Sequence, residues 1–173
     1  SPALANSSAV IGTVAGVVLG SRVARPYFAL ARATAQQLAN DYCLGRVAHL
    51  QGFHQIGQGE WADAGRALDE AVRCFARIGD GRWRDLAVLT TGNLHLMRSR
   101  SGALPFYREG LRTSDERGDL QTRAWAELGC AAARLAEGAT VESLALLDTD
   151  PPLAERFRTM GDVTSEVDAY GLR

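Results

Sequence analysis

The side chains in this sequence that could do chemistry are few and scattered. The histidines are His49, His54 and His95. His49 and His54 stand five apart, so they do not share a helix face as paired metal ligands at i and i+4 would, and no HExxH pattern is present. The cysteines, Cys43, Cys74 and Cys130, are odd in number, widely spaced and without a CxxC. That pattern argues against a disulfide framework and for a reducing, cytoplasmic setting. "GQGEWADAG" carries Gly57, Gly59 and Gly65, but it is not GxGxxG and follows no strand, so it is no nucleotide loop. The chain has no lysine, its 19 basic residues all being arginine. A Walker-type loop and Schiff-base chemistry are thereby excluded. The carboxylate pairs Asp69/Glu70 and Asp148/Asp150 read as a solvated helix face and as caps. No nucleophile, base and orienter form a set. We expect no catalytic residue, no cofactor and no metal.

Arginines beside aromatics remain. Arg82 and Arg84 flank Trp83, a combination that can grip phosphate or nucleic acid. Acidic residues are interleaved at Asp80, Asp85 and Asp115-Glu116, and the net charge is −1. This excludes a nucleic-acid footprint. Trp61, Trp83 and Trp125 read as wedges between helices, with Trp83 the most exposed of the three.

The elements that must position these residues are marked by a recurring stop-start signal. Gly79-Asp80 and Gly118-Asp119 lie thirty-nine residues apart, and Asn40-Asp41 precedes the first at the same interval. Gly tolerates positive φ past a helix end, and Asp caps the next helix; Asn40 can take the left-handed conformation as well. A second pattern runs in step with it. Gly12 is followed by Ala24, Phe28 and Ala31; Gly52 by Ala64, Leu68 and Ala71; Gly92 by Ala103, Tyr107 and Gly110. Small residues let helices approach and large ones fill the gaps. Gly129 opens a fourth unit whose second half is degenerate.

This reads as an all-α chain. Helices are expected at roughly 3–18, 24–39, 42–56, 61–78, 82–98, 103–117, 120–137 and 140–148, with Pro26 and Pro105 near the starts of second helices. After Pro151-Pro152 the phase is lost. Gly161-Asp162 is either the turn inside a fourth pair, with helices at 152–160 and 163–171, or a boundary between pairs. The segment Ala9–Leu19 is uncharged yet too short to span a bilayer, and the sequence lacks the basic start of a secretory signal. It reads as a helix packed between soluble neighbours. With no initial Met and an end in mid-pattern, the sequence reads as a piece of a longer protein.

The small-xxx-large-xx-small spacing, with "WAELG" at Trp125 to Gly129, resembles the tetratricopeptide repeat, at a longer period than that family's usual one. "GEWADAGRALDEAVRCFARIGDGRWRDLAVLTTGNLHL" and "RGDLQTRAWAELGCAAARLAEG" also resemble the C-terminal repeat regions of bacterial class III adenylate/guanylate cyclases and of LuxR-type ATPase regulators. The resemblance implies one domain over 1–173, a right-handed superhelical array of about four antiparallel helix pairs, with units at 3–40, 41–79, 80–118 and 119–150 and an irregular 151–173. It implies a non-catalytic, cytoplasmic scaffold in a bacterial signalling protein that binds a protein, a peptide or another domain of its own polypeptide. Nucleic acid and membrane are not expected partners; pairing of two copies through terminal helices is. Transferred by the glycine register, the groove would hold His49, Phe53, Leu89, Asn93, Met97 and Arg134. Arg46 and Arg123 sit one turn earlier. This lining suits an acidic or amphipathic segment. The rival expectation is a small-molecule sensor or enzyme with a pocket near Trp83, His95 and Arg123.

Overall fold

The computed structural model describes residues 1–173 as ten α-helices with no strand: α1 (Pro2–Leu19), α2 (Ser21–Gln37), α3 (Asp41–Gly57), α4 (Trp61–Arg77), α5 (Gly81–Ser99), α6 (Leu104–Arg117), α7 (Leu120–Ala136), α8 (Thr140–Leu147), α9 (Leu153–Met160) and α10 (Val163–Gly171). The chain forms two compact units, Ser1–Thr90 and Thr91–Arg173, so α5 contributes its first half to one and its second half to the other.

The stop-start signals work as local chemistry requires. Gly79, Gly118 and Gly161 have φ of 69°, 67° and 73°. Each following Asp accepts a backbone N–H of the next first turn at 3.1 Å: Asp80 from Trp83, Asp119 from Thr122, Asp162 from Ser165. Asn40 caps α3 by accepting from Cys43 at 2.9 Å. It does so at φ −108°, and the left-handed residue is Ala39, at φ 46°. The expectation for Asn40 is corrected accordingly: an N-cap must be extended, so the strain falls one residue earlier. Gly161-Asp162 is the turn between α9 and α10. Pro105 lies in the first turn of α6 as expected. Pro26 does not lie at a helix start, because α2 begins at Ser21 and takes the proline into its interior.

In the first unit, α1 buries Ala5, Ser8, Ala9, Gly12 and Gly16 against α2 and α3. Ala24, Phe28, Ala31 and Ala35 of α2 complete that core with Cys43 and Val47. The wedge residues sit where the register placed them. A Cβ added at Gly12 would lie 3.3 Å from Phe28, and one at Gly52 would lie 2.8 Å from Leu68. In the second unit, Tyr107 is wedged between two glycines: a Cβ at Gly92 would lie 2.8 Å from its ring, and one at Gly129 would overlap it. α7 packs with α6 on one side and with α8, α9 and α10 on the other. There Ala124, Ala131, Leu147, Leu153 and Phe157 form the core.

Candidate functional site: an unpaired arginine on a tryptophan face

Two long-range ion pairs tie the helices of the first unit together. Arg32 donates to both carboxylate oxygens of Glu70, at 2.9 and 2.8 Å, tying α2 to α4. Arg77 grips Asp41 through two hydrogen bonds, at 2.9 and 2.6 Å, tying α4 to α3. That grip holds the Asp41 carboxyl below the usual carboxylate range.

Arg46 has a different environment. Its guanidinium carbon lies over the Trp83 ring, 3.7 Å from the centroid, and its buried Nε has no hydrogen-bond partner. No carboxylate lies within ion-pair distance of it. Burial pulls its pKa below the usual arginine value. Trp83 also contacts Phe75, stacked at 6.1 Å, and His49, edge-on at 6.2 Å. The platform follows from local order: Trp83 begins α5, where Asp80 caps its N–H, so the ring is held by the cap and by the α4 core.

His49 completes the arrangement. Thr90 Oγ1 spends its proton on Leu86 O at 2.8 Å, so His49 Nε2 must donate to Thr90 Oγ1, also at 2.8 Å. Nδ1 is then an unprotonated acceptor, buried and without a donor. Burial, aided by the nearby Arg46 charge, lowers the His49 pKa to about 4. Tyr42, Arg46, His49 and Phe53 follow one another at spacings of four, three and four, hence on one face of α3. Tyr42 and Phe53 are exposed at 36% and 52%. The face offers a neutral imidazole and one uncompensated cation between exposed rings.

The other expected groove residues fare differently. Leu89 is buried in the first unit, which removes it from any groove: its α5 face is a packing face. In the second unit, Asn93 accepts the Tyr107 hydroxyl at 2.6 Å and Met97 is exposed. Arg123 pairs with Asp115 at 3.1 Å and Glu127 at 3.0 Å. Arg134 pairs with Glu137 at 3.2 Å. Of the rival set, Trp83 belongs to the first unit, whereas His95 stacks on Phe106 at 4.8 Å in the second.

A cleft of about 420 Å³ opens in the first unit, lined by Ser21, Arg25, Arg32, Gln51, His54 and Glu60 among others. It contains none of Trp83, His95 and Arg123. No local spacing in the sequence announces it, because its charged rim comes from three helices. No group of His, Cys, Asp and Glu side chains suited to a metal is present. All three cysteines are free and buried, and burial raises the Cys130 thiol to about 11.

No family model, curated protein or solved structure matches this chain.

Proposed function

We propose that this chain is a non-catalytic helical-repeat module that captures an acidic, amphipathic protein segment on the Tyr42–Arg46–His49–Phe53 face of α3, beside Trp83. The observation that carries the reading is the Arg46 guanidinium, over an indole and without a counter-ion. A half-buried cation with no acid is costly, and a carboxylate arriving from a partner would satisfy it. The exposed rings of Tyr42 and Phe53 would take the partner's apolar side chains, and neutral His49 adds no repelling charge.

The repeated glycine-to-large contacts support a tetratricopeptide-like array, and a right-handed superhelix is the arrangement we propose for it. Residues Arg123 and Arg134 would then lie outside the binding face, since their charges are already paired. A regulatory region of a bacterial signalling protein, working in a reducing cytoplasm, suits a binding module with free, buried cysteines.

The test is fluorescence anisotropy with a labelled peptide of Glu-Glu-Leu repeats, against a Lys-Lys-Leu control. Saturable binding of the acidic peptide alone, lost in Arg46→Ala, is expected. Equal binding of both peptides, or of neither, overturns the reading.

A second reading, a small-molecule sensor, is favoured by the cleft at Arg32 and His54. It calls for a metabolite whose saturable binding is lost in Arg32→Ala.

A further inference from the structure

The helix α1 has two opposite faces. One is the buried stripe at positions 5, 8, 9, 12 and 16. The other faces solvent: Leu4, Ile11, Val14 and Val18 are 48, 48, 59 and 72% exposed. With Ser7, also exposed, these positions step by three, four, three and four, which is the seam of a two-helix coiled coil. Val10 and Val17 flank the seam at 46 and 73% exposed.

Three features decide what covers this seam. The first is area. These six side chains present roughly 600 Å² of contiguous apolar surface, at the upper limit for a monomer and most of the roughly 800 Å² each partner gives to a standard interface. The second is charge. α1 contains no ionisable side chain. Across a two-fold axis each residue near the axis meets its own copy, so a charged seam repels itself and an uncharged one does not. The third bears on lipid. An anionic membrane surface calls for free basic residues beside the apolar face. In the neighbouring α2, Arg32 is bound by Glu70 and Arg25 lies 3.7 Å from Glu60, which leaves Arg22, exposed and without an ion pair, as a single basic residue where such surfaces recruit clusters.

We infer that the exposed seam of α1 is the contact of a homodimer in which α1 packs against α1 of a second copy. The dimer uses neither α3 nor Trp83, so it stands or falls apart from the peptide-binding reading.

The experiment is light scattering on the full 173-residue chain across a hundredfold range of concentration, with two variants and a crosslink. The expected result is a mass approaching twice 18.6 kDa with rising concentration. Ile11→Glu stays monomeric throughout while its helical circular dichroism is unchanged. Val141→Glu, which alters an aliphatic side chain 82% exposed on α8, still dimerises. Val14→Cys forms an intermolecular disulfide under mild oxidation, the native cysteines being buried. A wild-type chain that remains monomeric overturns the proposal, as does a dimer that survives Ile11→Glu and leaves Val14→Cys uncrosslinked. A monomer that partitions onto phosphatidylserine vesicles, and loses that affinity in Ile11→Glu, would reassign the seam to lipid and also overturn it.

Discussion

Arg46 and Arg123 stand at the same place in the repeat register, each six residues before a helix-packing glycine, and they meet opposite fates. Arg123 has Glu127 one turn further on and Asp115 across the turn, and both bind it. At the position matching Glu127, Arg46 has Leu50, which turns into the core of the first unit. Arg46 therefore has no acid and settles on Trp83. Arg123 meets two acids, and the loss of both, with Leu50 in place of Glu127 as one of the exchanges, separates an arginine in a structural network from one without an ion pair.

The largest effect is expected on the structural side of this contrast. Glu127 is buried, with Arg123 on one oxygen and Arg156 Nη1 2.5 Å from the other. Glu127→Gln leaves two cations without their shared acid. It should lower stability by about 3 kcal/mol in urea unfolding, as loss of one member of a buried ion pair does. An unchanged midpoint would mean the network holds nothing together.

Similar in size is the acid response of His49. Its native pKa of about 4 lies below its ordinary 6.5. Below pH 6.5 the unfolded chain takes a proton that the folded chain refuses, so stability is lost as the pH falls from 6.5 towards 4 and is flat above. The loss by pH 4 should be about 3 kcal/mol. Thermal melts of His49→Gln over that range should show a shallower decline; parallel curves would remove His49 from the account.

Making Arg46 resemble Arg123 tests the comparison directly. Leu50→Glu supplies the missing i+4 carboxylate while keeping the arginine. Acidic-peptide affinity should fall about tenfold, roughly 1.4 kcal/mol. Arg46→Met should lose as much binding with stability changed by less than about 0.5 kcal/mol, since no ion pair is broken. If Leu50→Glu binds as well as wild type while remaining helical, the lack of an acid is not what defines the face.

The smallest effect belongs to Arg123→Met. Arg123 is 44% exposed, so solvent screens its charge, and Arg156 still holds Glu127 once Arg123 is gone. A cost of about 1 kcal/mol or less is expected, with peptide affinity unchanged.

Helix ends were readable from the sequence because a positive-φ glycine followed by an Asp cap is a contest settled within one turn. Asn40 shows the limit of such reading. Its capping role was legible, but the site of the left-handed residue depended on the competing need for an extended N-cap, and Ala39 took it. Leu89 shows another limit. Counting from Gly92 places it on a groove, whereas helix rotation within the first unit buries it. The cleft beside Arg32 had no sequence signal at all, its rim being drawn from positions as distant as Ser21 and Glu60.

By itself, the sequence determined the helical class, the helix boundaries marked by a Gly-Asp pair and the match of glycines to Phe28, Leu68 and Tyr107. These follow from backbone sterics and from the 3.6-residue period, which act over a few residues. Tertiary structure alone decided the fate of the charges: Arg32 on Glu70, thirty-eight residues away, Arg77 on Asp41, thirty-six away, and Arg46 on Trp83. An arginine reaches across several helix faces, and its choice among acids and rings depends on which helices pack beside it and on how each is rotated.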